Sequence, residues 1–398
     1  MIATVPISMT DSRLRGGRRS APTRVLILTA SVGEGHDHPT SMLAAQLRAE
    51  RPDVEVVIED CLAVMGRPVA LVSESAPRVI FFRLAWLWDL AFWLFARLGP
   101  VRRLSQRALT EVGGPGLLRL VAARAPDVVV STYPQSTEVL GRLRRQGRLS
   151  VPLCAAVTDL AALDYWVSPG ADVHLVTHPE SLEEVHSIAG ADARVHVVQG
   201  FSDPAFLQPR DQHQARAALA LPREGNVVLV SGGGWGVGRL SGAIQTALRV
   251  PGVSMVVGLC GRNDDLRRDL GRQFVSDARV RLEGFTEAMP DWLAAADALV
   301  HSTAGLTVLE ALIRGCPVIS FGWGRGHIRP NNAAFRRLGL ADVADSEEQL
   351  TEALERALAR RRALDLDYAR RPSAASFVLA EAGDGTRGGE GDGRDGHE

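Results

Sequence analysis

Three glycine-bearing turns carry the side chains best suited to chemistry. The first, Thr29-Ala-Ser-Val-Gly-Glu-Gly-His36, ends on an imidazole. Near neutral pH an imidazole can take the proton from a hydroxyl as that hydroxyl attacks. Glu34, Asp37 and His38 are rival bases beside it, and a loop histidine can also do no more than cap a helix. Asp159, after the apolar run at 151–157, can orient His36 or bind an acceptor. In the second turn, Ser231-Gly-Gly-Gly-Trp-Gly-Val-Gly238, Gly233 and Gly234 let backbone amides approach a ligand, and a following helix N-terminus favours an anion. Tight turns use the same residues without any ligand. A dinucleotide site would add an acid about 20 positions on, and residues 250–255 hold none. In the third, Ala304-Gly-Leu-Thr-Val-Leu-Glu-Ala-Leu312, Gly305 permits close approach, Thr307 can cap the helix and Glu310 lies one turn inside. That carboxylate could take both hydroxyls of a ribose while amides hold a diphosphate. It could equally compensate the helix dipole.

Such turns need a strand before and a helix after. Apolar strand-like runs occupy 24–30, 54–58, 127–131, 151–157 and 195–199, with a helix expected to open at Pro39. The pattern restarts at 226–231, with a helix to about Val250 and further strands at 253–258, 280–282, 298–301 and 317–320. Alternating strands and helices predict an α/β fold of two Rossmann-like, doubly wound domains facing a central cleft. Ligands of such sheets bind beyond the carboxyl ends of the strands, where the glycine turns fall.

Composition removes several function classes. The chain has 398 residues with 45 basic side chains, all of them arginine, against 46 acidic ones. Without lysine, a P-loop and Schiff-base chemistry are both excluded. The length predicts two domains, and 46% hydrophobic residues suffice for substantial cores. The net charge of −1 hides a basic segment at 1–22 and an acidic, glycine-rich one at 381–398, both expected to be disordered tails. The neutral remainder argues against nucleic acid as a partner. Cys61, Cys154, Cys260 and Cys316 are far apart, so neither a zinc site nor a disulfide framework is expected, which fits a reducing compartment. No signal peptide is visible and no uncharged run reaches the ~20 residues of a membrane span.

In order and spacing, Cys260-Gly-Arg-Asn263, Glu283-Gly-Phe-Thr-Glu-Ala-Met289, Ala304 to Ala311, Arg314-Gly-Cys-Pro-Val318 and Gly326-His-Ile-Arg-Pro-Asn-Asn332 resemble the nucleotide half of the monogalactosyldiacylglycerol synthase family. Its relatives include diacylglycerol glucosyltransferases and the enzyme that adds N-acetylglucosamine to a lipid-linked peptidoglycan precursor. The turn ending in His36 and Val157-Thr-Asp-Leu160 resemble the front half, so the likeness spans roughly residues 24–360.

The resemblance implies a GT-B glycosyltransferase of the family 28-like type. It has an acceptor-binding domain at 23–200, a linker at 201–223 and a nucleotide-sugar domain at 224–362. A C-terminal helix at 363–380 can cross back to the first domain. It further implies a nucleotide sugar, commonly UDP-linked, as co-substrate, with no cofactor and no catalytic metal. Groups near Phe285 hold the uracil and Glu310 holds the ribose. Arg262 and the two helix N-termini face the diphosphate, and His327 and Asn331 resemble donor-contacting positions. His301, beside the diphosphate turn, either donates to phosphate or is a buried structural residue. Plant-type members differ at Trp235, where they carry an acid, and at Ser302, where they carry a basic residue. A Gln-Glu pair is replaced by His327 and Ile328, and histidines are missing after Asp159.

Residues 78–107 hold seven aromatics and six arginines against one acid, among them Phe82, Trp86, Trp88, Trp93 and Arg97. An arginine-flanked aromatic helix suits an anionic membrane surface, although a buried core or dimer helix reads similarly. His174 and His178 straddle a strand end and are not expected to bind metal, and the Asp365–Asp367 pair is expected on a solvated helix. The combined expectation is a cytosol-facing, peripheral, inverting hexosyltransferase acting on a lipid hydroxyl such as that of diacylglycerol. A soluble aglycone, a UDP-sugar epimerase of the same fold and a non-catalytic nucleotide-sugar binder are the alternatives.

Overall fold

A computed structural model describes residues 22–30, 34–66, 69, 99–161, 163–303, 305–322, 328–360 and 366–387. Phe82, Trp86, Trp88, Trp93, Arg97 and His327 therefore lie outside the described residues. So do most of the two expected tails.

The first sheet is six-stranded and wholly parallel: β1 (Arg24–Thr29), β2 (Glu55–Asp60), β3 (Val128–Ser131), β4 (Leu153–Val157), β5 (Val173–Val176) and β6 (Val195–Val197). Their spatial order is β2-β1-β3-β4-β5-β6. The residues of β3, β4 and β5 are all buried, as expected of parallel strands covered on both faces. Helix α1 (Glu34–Glu50) covers one face through Leu43 and Leu47. On the other face lie α2 (Cys61–Met65), α3 (Gly99–Arg124) and α4 (Pro134–Arg145), contributing Leu62, Leu117 and Leu140. Helix α1 starts five residues before Pro39, which sits inside it at the cost of one second-turn hydrogen bond. The end of β5 falls between His174 and His178 as expected, although its start was not legible because His174 interrupts a run of only four residues. Helix α5 (Leu182–Ala189) precedes β6.

Residues 201–223 are not an extended linker. Phe201 is buried in the first domain, whereas Phe206, Ala215 and Leu221 belong to the core of the second. Asp203 caps the turn Pro204–Leu207 by accepting the Ala205 N–H at 2.8 Å. Helix α6 (Gln212–Ala218) carries the buried Arg216, paired with Asp297 at 2.5 Å and donating to the Ala295 and Gly225 carbonyls at 3.0 Å. The three prolines mark turns here rather than a loose connection.

The second sheet repeats the plan with β7 (Asn226–Ser231), β8 (Val253–Leu259), β9 (Val280–Glu283), β10 (Ala298–His301), β11 (Val318–Phe321) and β12 (Asp342–Ala344), in the order β12-β11-β10-β7-β8-β9. The helices between them are α7 (Leu240–Arg249), α8 (Asp264–Gln273), α9 (Met289–Ala295), α10 (Leu306–Ile313), α11 (Ile328–Leu338) and α12 (Glu347–Leu358). Two hydrophobic clusters, one per face, form its core.

The chain then returns. The short α13 (Leu366–Arg370) buries Tyr368 with the second domain. Helix α14 (Ala374–Arg387) packs Ala374, Val378 and Ala382 into the core of the first, beside α1. His196 stacks on Phe377 with ring centroids 4.0 Å apart, and Arg194 donates to Glu381 at 3.1 Å. The acidic segment expected to be disordered from 381 is therefore helical as far as Arg387, because Glu381 has a cationic partner and Ala382 is buried.

Candidate active site

The glycine turns collect at the carboxyl ends of the strands. After β7 the backbone turns left-handed at Gly233 (φ 67), Gly236 (φ 61) and Gly238 (φ 111). A Cβ on Gly238 would come within 2.4 Å of Ser302 Cβ. Ser302 is buried, donates its hydroxyl to the Val237 carbonyl and donates its N–H to the Ser231 carbonyl at 3.2 Å. It thus clamps the turn to β10 instead of offering a charge to a ligand.

The loop after β8 stacks on the same turn. A Cβ on Gly261 (φ 58) would lie 2.4 Å from the Gly234 carbonyl oxygen, and the Arg262 N–H donates to that oxygen at 2.8 Å. Asn263 caps α8 by accepting the Leu266 N–H at 2.9 Å. Arg262 is thereby presented over Phe285, its guanidinium carbon 3.9 Å from the ring centroid. Phe285 is 46% exposed, so this cation–π pair forms a flat, open face at the edge of the cleft.

The third turn leads into α10 through Gly305 (φ 141), with open space where its Cβ would be and no side-chain cap on the helix. Thr307 is the second helical residue, so the capping role expected for it is not realised. Gly305 as N-cap offers no side-chain acceptor to the first amides of α10, which an anion can meet. Thr303 fills the gap between turns: its hydroxyl is 2.8 Å from His301 Nε2, and a Cβ on Gly233 would approach it to 3.0 Å. Burial pushes the His301 pKa down to about 4, so at neutral pH the ring holds Thr303 and supplies no charge. Glu310 is only 5% exposed, and its carboxyl is pushed up to about 8, first by burial and then by the charge of Asp203. Hydroxyl donors arriving there would favour the ionised form.

Asn331, in the first turn of α11, is 1% exposed, and its amide oxygen accepts the Ala161 N–H at 3.1 Å. The residue expected to contact donor sugar is thus bonded to the first domain. On that side Asp159 follows β4 and accepts the Trp166 Nε1–H at 3.0 Å. His36 lies in the first turn of α1, following β1, and its side chain is outside what the structure describes. One strand, β3, separates β1 from β4, which sets their axes about 10 Å apart. Between them, Thr40 and Thr132 share a 2.7 Å hydroxyl contact, and Ser131, Ser136 and Thr137 form a second buried hydroxyl cluster. Nothing in the sequence had drawn attention to these hydroxyls, to Thr303 or to Asp203. Among the described residues no group of three or more acidic, His or Cys side chains is placed to hold a metal.

Residues 36–198 match the monogalactosyldiacylglycerol (MGDG) synthase family and residues 236–360 match glycosyl transferases group 1. Over its first domain the chain is thus similar to the MGDG synthase family. Its curated relatives include a processive diacylglycerol β-glucosyltransferase of Staphylococcus aureus, 25% identical over 328 residues and covering 82% of each chain. Among solved structures it is similar in fold to MurG of Acinetobacter baumannii, with a TM-score of 0.53 and 15% identity over 91% of this chain and 100% of that one. It is also similar to Os79 of O. sativa, with a TM-score of 0.55 and 14% identity over 90% and 95% of the two chains. Its two parallel, doubly wound domains are the GT-B architecture. Among the described residues no helix is long and apolar enough to cross a membrane.

Proposed function

We propose that the protein is an inverting, metal-independent hexosyltransferase that moves a hexose from a UDP-sugar to a lipid hydroxyl such as that of diacylglycerol. In this reading the second domain binds the donor and the first binds the acceptor. The convergence of three backbone turns on one edge of the second sheet supports it most. The turns at Gly233 and Gly234 and at Gly305 offer amides to a diphosphate, Phe285 flanks the base, Arg262 stacked on it brings its charge towards the diphosphate, and Glu310 takes the ribose hydroxyls. As the glycosidic bond to the leaving diphosphate breaks, negative charge grows at the open N-terminus of α10, where oriented amides stabilise it. His36 removes the proton from the attacking acceptor hydroxyl, and Asp159 orients the acceptor or the base. The diacylglycerol glucosyltransferase activity of its relatives supports diacylglycerol as acceptor. The aromatic, arginine-rich stretch that includes Phe82, Trp86, Trp88, Trp93 and Arg97 supports peripheral binding to an anionic, cytosol-facing membrane surface.

A panel of nucleotide sugars offered with and without diacylglycerol vesicles tests the reading. Glycolipid formed from one UDP-sugar only in the presence of vesicles is the expected result. Donor turnover without any acceptor, or transfer to soluble aglycones alone, would reject it.

A further inference from the structure

We propose that Asn331 is a positioning residue. It latches the second domain onto the loop carrying Asp159, so that this carboxylate takes its place only when the two domains are docked. The proposal rests on the transferase reading for its consequences, although the latch itself is independent of that activity.

The hydrogen bond from the Ala161 N–H to Asn331 Oδ1, 3.1 Å long, joins residues 170 positions apart and from different domains. A primary amide with 1% exposure is costly to bury without partners, so its placement against Ala161 is selective rather than incidental. Leu160 and Ala161 are themselves buried in the hydrophobic cluster of the second domain, together with Leu309 and Phe335. The tip of a first-domain loop is therefore embedded in its neighbour. Two anchors hold this loop in opposite directions. At one end Asp159 accepts from Trp166 Nε1 at 3.0 Å, and Trp166 is packed with Val157, Leu163 and Val167 of the first domain. At the other end Ala161 is held by Asn331. The start of α11 is tied in turn to the second sheet, because Ser320 Oγ donates to Asn332 Oδ1 at 2.8 Å. Only two Cα steps, at most ~7 Å, separate the anchors. A movement of the second domain transmitted through Ala161 must then shift Asp159 or break one of the two bonds.

An Asn serves this purpose through its carbonyl oxygen. Asn331→Asp keeps an acceptor of the same size, whereas Asn331→Ala removes it and leaves the Ala161 N–H without its partner. Hydrogen exchange at the Ala161 amide of the full chain, without donor, reads the latch directly. Exchange should be about tenfold or more faster in Asn331→Ala than in wild type, and near wild type in Asn331→Asp. If Asn331→Ala does not fold, Asn331→Leu, which fills the space but cannot accept, takes its place. Steady-state kinetics supply the second arm. For Asn331→Ala, kcat should fall about 10- to 100-fold and the acceptor KM should rise, with UDP affinity held within about threefold. Unchanged exchange at Ala161 in the variants lacking an acceptor would overturn the latch. A loss of UDP affinity equal to the loss in kcat would also overturn the positioning role, since Asn331 would then act on the donor. If no transferase activity is found at all, the exchange result still decides the latch while the functional reading fails separately.

Discussion

The two halves of the cleft are built from different materials. In the second domain the turns are backbone: Gly233, Gly236, Gly238, Gly261 and Gly305 hold conformations or approaches that a side chain would spoil, and Ser302 and Thr303 brace them. In the first domain the described polar groups near the strand ends are side chains, namely Asp159 with Trp166 and the buried hydroxyls of Thr40, Thr132, Ser131, Ser136 and Thr137. A diphosphate is the same in every nucleotide sugar, so it can be met by amides fixed in the main chain. In the proposed reading an acceptor varies, and the side chains that meet it can vary with it. The lack of lysine sharpens this division: neither Ser302 nor the neutral His301 supplies a cation, so in the proposed mechanism helix N-termini carry more of the leaving-group stabilisation or Arg262, Arg325 or Arg329 supplies it.

Four substitutions probe that division. The largest effect is expected on the acceptor side: His36→Ala should lower turnover by about 100-fold or more with UDP affinity unchanged. Near-normal turnover would remove the imidazole from the chemistry. Next, Gly261→Ala puts a methyl group 2.4 Å from the Gly234 carbonyl oxygen at a left-handed φ. It should abolish measurable UDP binding by calorimetry or destabilise the fold by ~1–3 kcal/mol. A variant that binds UDP normally would show that the two loops need not touch.

A third test concerns Glu310. Its carboxyl has a folded pKa of about 8 against an ordinary value of 4.5. The raised folded value means that the neutral acid favours the native state. The stability it contributes is full below about pH 4.5 and is lost as the pH rises towards 8. Between these values the melting temperature of the ligand-free protein should fall relative to Glu310→Gln. A parallel pH dependence in the two proteins would refute the buried, neutral acid. The same variant should bind UDP about tenfold or more weakly, because an amide accepts ribose hydroxyls less strongly than a carboxylate. The smallest effect is expected at the exposed pair: Phe285→Ala should weaken UDP binding about three- to tenfold by removing a stacking face. No change would place the base elsewhere.

Much of the fold was legible because parallel strands buried on both faces read as short apolar runs, as in β1, β3, β7 and β10. The misses are physical. Of strand β5 only the end was legible, because His174 breaks its short apolar run, and β12 is three residues long with Asp342 at its start. Prolines at 201–223 suggested a linker, whereas Phe206, Ala215 and Leu221 find partners only in the completed second domain. Helix α14 continues past the acid-rich point because Arg194, nearly 190 residues earlier, meets Glu381. The site divides in the same way. Glycine turns were visible as local pattern, but Ser302 as a clamp, Thr303 held by His301 and Asn331 bonded to Ala161 are tertiary relations with no local signature.

The central claim is that a nucleotide sugar held by the second domain loses its hexose, with inversion, to a lipid hydroxyl at the first. The most direct measurement incubates the full chain with a UDP-α-hexose and diacylglycerol vesicles in the presence of a metal chelator, and reads the anomeric configuration of the product by proton NMR. A β-linked glycolipid is the predicted result. An α-linked product, or transfer of the hexose to water alone, would contradict it.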